Sequence, residues 1–261
     1  MIIKAILFDI NGTLVDINTD ETNEEIFRTI SHILTYQGIF MHRREARDEY
    51  YQIMDVQRKT SQEKYPEFNV VELFRTFLDR RLSAQGRLPL GKLEWLPLFL
   101  AEAYRGISRN RLQLYPDVLD VLNDLHPRYN LAAISDAQSA WCLPEMRAVG
   151  LDGYFDPIIV SGDFGYRKPD LRLFTAALTA LRVAPKNVLF VGNDMFRDVY
   201  GARQLGIKTV FFSSNQGRKQ AEGVKPDYII YQFPEMRQAV EFFERQRMNR
   251  EPNGPDAVLQ K

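Results

Sequence analysis

The chain has little that would tie it to an oxidising compartment, a nucleic acid or a bilayer. Among 261 residues there is one cysteine, Cys142, so no intramolecular disulfide can form and the cytoplasm is the natural compartment. Cys142 reads as a small apolar residue on a helix. Charge of neither sign is in excess: 34 Lys and Arg meet 34 Asp and Glu. That balance argues against partners recruited by bulk charge, so neither a nucleic acid nor a membrane surface is expected. No apolar run approaches the roughly 20 residues that span a bilayer. The N-terminal apolar stretch is interrupted by Asp9, with no small-residue cleavage site behind it, so it does not read as a secretory signal. Internal repeats and low-complexity tracts are missing too. A hydrophobic fraction of 45% with 26% charged residues is that of a globular protein, and the length allows one large domain or two ordinary ones.

What is present begins with a strand pattern. Residues 2–10 are short and continuously apolar, as in a strand buried on both faces. From about residue 20 to 110 the period changes to that of helices. Ile26, Ile30, Ile33 and Leu34 share one helical face in a segment ending at Gly38. Three more helices are expected, in "HRREARDEYYQIMDVQRKT", "VVELFRTFLDRRL" and "LEWLPLFLAEAYRG", and no strand. After Pro116, strands alternate with helices. The strands are "YNLAAIS", "DPIIVSG", "NVLFVG", "KTVFFSS" and "DYIIY". The helices include "SAWCLPEMRAVG" with Pro144 at a bend or fresh start, "KPDLRLFTAALTALR" with Pro169 in its first turn, and "RDVYGARQLG" ending near Gly206. This alternation implies right-handed crossovers and a parallel sheet. The expected architecture is α/β. A Rossmann-like core with helices on both faces takes residues 1–16 and 113–248, and an all-helical cap takes 17–112. The polar tail at 249–261 is expected to be disordered.

In an open parallel sheet, ligands sit beyond the carboxyl ends of the strands. The residues that follow each apolar run are therefore the candidates. Asp9 follows "AILF". Ser135 and Asp136 follow "LAAI". Ser161 and then Lys168 follow "PIIV". Gly192, Asn193 and Asp194 follow "VLFV", with Asp198 one helical turn later. Taken singly, each has an ordinary structural role as turn residue, helix cap or solvated side chain. Together, in order, they assemble a chemistry. Three carboxylates on one rim repel unless a cation joins them, and a hard divalent ion such as Mg2+ suits oxygen ligands and phosphate oxygens alike. Lys168 and the Ser135 hydroxyl can hold further oxygens, and Asp9 can attack as a nucleophile.

These segments resemble the four motifs of the haloacid dehalogenase superfamily of hydrolases: "DINGT", "AISD", "YRKPD" and "GNDMFRD", over roughly residues 1–245. The resemblance implies an aspartyl-phosphate formed on Asp9, with Asn11 lending its backbone carbonyl to Mg2+. It implies phosphate contacts from Ser135 and Asp136, charge screening by Lys168, and an acidic pair, Asp194 and Asp198, around the metal. The insert after the first motif resembles a cap that closes over the substrate. Two positions depart from the pattern. Asn193 stands where Gly or Asp is usual, which turns the choice of metal ligand to Asp194. Asn11 stands where an acid/base Asp is usual, and losing general acid–base catalysis costs roughly 10²–10⁴-fold in rate. The leading expectation is a Mg2+-dependent phosphatase of a small phosphorylated metabolite, slowed by Asn11. Two other readings stay open. One is a 2-haloacid dehalogenase, whose halide leaves without a proton. The other is a catalytically weak binding or regulatory protein on the same fold.

Overall fold

The structure, a computed structural model, describes residues 1–85, 88 and 91–248; the expected disordered tail at 249–261 lies outside them. Six strands form one parallel sheet: β1 (Ala5–Phe8), β4 (Asn130–Ser135), β5 (Ile158–Val160), β6 (Val188–Gly192), β7 (Lys208–Phe212) and β8 (Tyr228–Ile230). Their order is β5-β4-β1-β6-β7-β8. The chain moves outward from β1 to β4 and β5, then crosses back to β6 and continues the other way. The reversal falls between β1 and β6, where an open α/β sheet leaves a crevice at its carboxyl edge.

β1 is shorter than the apolar stretch 2–10 suggests, but it is buried on both sides. Its alternation feeds two cores. Ile6 and Phe8 join the cluster under α5 (Val118–Leu125), α6 (Ser139–Ala148) and α9 (Met236–Met248). Ala5 and Leu7 join the cluster under α7 (Leu171–Leu181) and α8 (Gly201–Gln204). Helices therefore cover both faces, as the apolar runs require.

The insert holds α1 (Glu24–Tyr36), α2 (Arg43–Thr60), α3 (Val70–Gln85) and α4 (Lys92–Ser108) around its own apolar cluster. It is not entered through loops. Strands β2 (Val15–Thr19) and β3 (Arg109–Leu114) pair as an antiparallel ribbon at its base, with Asp16 opposite Gln113 and Ile17 opposite Leu112. We propose the division into 1–16 plus 113–248 and 17–112, which cuts between these two pairs. Trp141 of α6 crosses it. Its indole N–H donates to Ala101 O at 2.7 Å, and its ring stacks on Tyr104 at 5.7 Å.

Two local expectations need correction. Pro169 precedes α7 rather than opening it; the N-cap is Asp170, whose side chain accepts from Arg172 N. The segment after β6 is not one α-helix. Met195–Tyr200 forms a π-helical turn, followed by the short α8. Pro144 lies inside α6 without ending it. Among the described residues, no helix is long and apolar enough to cross a membrane.

Candidate active site

Asp9 leaves the end of β1 with its backbone N–H on Val191 O, which ties the turn to β6. Asn11 and Gly12 then reverse the chain. Gly12 has φ +86°, and a Cβ there would sit 2.1 Å from the Asn193 amide nitrogen, so only glycine fits. The reversal brings Thr13 back under Asp9, where its hydroxyl donates to Asp9 Oδ2 at 2.8 Å.

Lys168 enters from the loop after β5 and is buried. Its ammonium donates to Asp9 Oδ1 at 2.7 Å, Asp198 Oδ1 at 2.7 Å and Ile134 O at 3.0 Å. Burial alone would lower its pKa, but Asp198, Asp9 and Asp136 raise it, so it stays charged. Asp198 is held from its other side by the N–H groups of Asn193 and Asp194. Burial pushes its carboxyl up to about 6 despite Lys168.

Asp136, the residue after Ser135, accepts from Lys168 N at 2.9 Å through Oδ1. Ser135 itself is fully buried, and its hydroxyl meets no geometric hydrogen-bond partner, its polar neighbour being the Cys142 thiol. Cys142 behind it is buried and free, with its thiol pushed up to about 12 by burial.

Asp9, Asn11, Asp136, Lys168, Asp194 and Asp198 line one cavity of about 170 Å³. Ser135 is not in that lining. Asn193, which follows β6, is in it, and so are Arg197, Gln216 and Gly217, which the strand-end reading did not name. A signal for the last two existed: "SSNQG" is the polar run that follows β7. A larger cavity, about 270 Å³ between α1 and α2, holds none of the candidate residues.

The structure gives Asp194 a different task from the one expected. Its Oδ1 caps the π turn, accepting from Phe196 N at 3.0 Å and Arg197 N at 2.8 Å. Its Oδ2 accepts from Arg197 Nε at 3.0 Å and Arg218 N at 3.1 Å. Burial would raise its pKa, but these N–H groups and the Arg197 charge hold it low. Both oxygens are engaged, and a metal would have to compete with Arg197 for them.

Does this donor set fit Mg2+? Among the described residues no three His, Cys, Asp or Glu side chains have the spacing of a metal cage. Mg2+ rarely needs one, because it takes one or two carboxylates and fills its sphere with water and substrate phosphate. The charge count favours it. Four aspartates line the cavity against Lys168 and Arg197, an excess of acidic groups over cations. Hard oxygens and an acidic excess fit a divalent ion.

A Rossmann-like parallel sheet with an aspartate and a bridging lysine at its switch point is an α/β architecture with a charged site at its carboxyl edge. The model of the haloacid dehalogenase-like hydrolases matches residues 3–206, and the chain belongs to that family. Among its relatives is a glyceraldehyde 3-phosphate phosphatase of Pyrococcus furiosus, 28% identical over 57% of this chain and 65% of that protein, just under two thirds of its length. The enzyme of the same name from Methanothermobacter thermautotrophicus is 24% identical over 85% of this chain and 91% of its own. A solved 2-haloacid dehalogenase from Pseudomonas syringae superposes with a TM-score of 0.68. It covers 93% of this chain and 100% of its own at 21% identity, a likeness of fold.

Proposed function

We propose that the protein is a Mg2+-dependent phosphatase of a small phosphorylated metabolite, working in the cytoplasm through an aspartyl-phosphate on Asp9. The observation that carries this is the Asp9 carboxylate, fixed between Lys168 and Thr13 in the lining of a cavity of about 170 Å³. The relatives named glyceraldehyde 3-phosphate phosphatase support the class of substrate.

Each residue has a part. Asp9 attacks phosphorus, and the ester P–O bond breaks. Lys168 keeps the two flanking carboxylates from repelling the incoming phosphoryl group. The Ser135 hydroxyl would donate to a phosphoryl oxygen once turned toward the cavity, which it does not line in the free protein. Asp9, the Asn11 carbonyl and Asp198, with Asp194 released from Arg197, are the residues that would hold Mg2+. The ion would neutralise phosphoryl charge. Asn11 offers hydrogen bonds but no proton. The Gly12 N–H, the nitrogen that attacks in Asn-Gly deamidation, donates to Val15 O at 2.7 Å, which disfavours that reaction.

The test is a phosphate-ester panel with and without Mg2+. Turnover should vanish in EDTA, return with Mg2+, and be abolished in Asp9→Asn. Residual activity of Asp9→Asn within about tenfold of the parent, roughly 1.4 kcal/mol in barrier, removes Asp9 from the mechanism. Chloride release from 2-chloropropionate in EDTA would instead establish the dehalogenase reading, which Asn11 and the engagement of Asp194 with Arg197 favour.

A further inference from the structure

The phosphatase reading leaves one proton without a carrier. An alkyl phosphate ester departs as a strongly basic alkoxide, and Asn11 cannot protonate it. One other carboxyl in the same cavity is placed to do so.

Asp136 stands at the end of β4, the strand hydrogen-bonded to β1, and lines the cavity with Asp9 and Asn11. Its two oxygens differ. Oδ1 accepts from Lys168 N. Oδ2 is buried and has no hydrogen-bond partner. Arg197 Nη1, which faces it, is 3.7 Å away, beyond hydrogen-bonding reach. An ionised carboxylate in that position leaves an acceptor unsatisfied and repels a phosphate. A protonated one presents an O–H donor, which a phosphate or a leaving oxygen can use. The groups around it pull in both directions. Lys168 and Arg197 favour the anion, while Asp198 and, from the cap, Glu67 oppose it. Burial is the largest influence and raises the carboxyl above its usual range.

We propose that Asp136 carries the proton that Asn11 cannot. In the first step Asp9 Oδ forms a bond to phosphorus, the ester P–O bond breaks, and the Asp136 proton passes to the departing oxygen, leaving an alcohol and the Asp136 carboxylate. In the second step that carboxylate takes a proton from the attacking water. The acyl phosphate is cleaved to Asp9 and inorganic phosphate, and Asp136 is protonated again. The inference rests on the phosphatase reading.

Single-turnover formation of the aspartyl-phosphate isolates the step. The substrates are p-nitrophenyl phosphate, whose leaving group needs little acid, and the best alkyl phosphate of the panel. Asp136→Asn keeps an acceptor for Lys168 N–H but has no proton to give. It should lose about 10²–10⁴-fold on the alkyl ester and less than tenfold on the aryl ester. Adding Asn11→Asp should restore the alkyl rate. Asn11→Asp alone should shift the alkyl-to-aryl ratio by less than tenfold, because the acid is already supplied. Infrared spectra at neutral pH should show a neutral carboxyl in the metal-free parent that diminishes in Asp136→Asn. Equal losses on both esters, no rescue, identical spectra, or a hundredfold gain in ratio from Asn11→Asp alone would each overturn the assignment. If the Asp136 variant does not fold, Asn11→Asp decides the matter by itself. A parent inactive on every phosphate would bring down the phosphatase reading and this assignment together. An active parent with any of the contrary results brings down only the assignment.

Discussion

Compare what is buried in the cap with what is buried at the rim of the sheet. Between α1 and α4, apart from tyrosine hydroxyls, the buried polar residues among the described ones are Ser31 and Ser108. Each donates to a nearby backbone carbonyl, Met41 O and Arg105 O. The rest is apolar and aromatic, with Tyr50 stacked on Tyr104 at 4.8 Å and Tyr104 on Trp141 at 5.7 Å. At the carboxyl edge of the sheet, Asp9, Lys168, Asp194 and Asp198 are all buried within one network. The cap is held by packing, whose energy depends on volume and shape. The rim is held by charge neutralisation, which fails abruptly when one partner goes.

The strongest way to break this contrast is Lys168→Met. It leaves Asp9 and Asp198 facing each other without their cation, so turnover should be lost and stability should fall by about 3–5 kcal/mol in urea unfolding. A loss under about 1 kcal/mol would mean the carboxylates do not depend on the lysine. Phe74→Ala makes the matching test in the cap. Phe74 is fully buried between Tyr50 and Phe77 and should cost about 3–5 kcal/mol. Because it touches nothing at the rim, kcat of the folded protein should stay within about tenfold of the parent, roughly 1.4 kcal/mol. A collapse of kcat would show that cap packing and catalysis are coupled.

The smallest effect lies at the seam. Glu67 N–H donates to Gly165 O, and its carboxylate accepts from the Ser161 hydroxyl, pinning the cap segment to the loop that carries Lys168. Burial raises its carboxyl above the usual range. A raised carboxyl pKa stabilises the fold below the unfolded value of about 4.5, and that contribution is lost as pH rises through the folded value. Glu67→Gln should therefore gain on the parent in thermal stability as pH increases from 4 to 8. A difference independent of pH would remove the titration from the seam.

Some of this was readable in one dimension and some was not. The polar residues after each apolar run do converge, because parallel strands bring their carboxyl ends to one edge. The β2–β3 ribbon was invisible. Its strands pair with each other rather than with the buried sheet, so "RNRLQL" carries charges where a core strand would be apolar. Aromatic residues at helical spacing do not show from sequence which of them are core: Tyr50 and Phe74 are buried in the cap, whereas Trp95 is 46% exposed. The choice of Asp194 over Asn193 rested on charge alone. What the sequence did not show is that Arg197, together with the Arg218 backbone from 24 positions further on, engages the Asp194 carboxylate.

The sequence by itself determined the fold class, the family and five of the six charged residues that line the cavity, all but Arg197. Those depend on local periodicity and on what stands at the end of each apolar run. Only the tertiary structure decided which oxygen meets which cation. Asp9 and Lys168 are 159 positions apart, and their 2.7 Å contact follows from the register of β1 against β4 and β6 and from the path of the loop after β5. Charge–charge energies vary with distance and burial on the scale of ångströms, and spacing along a chain does not encode either.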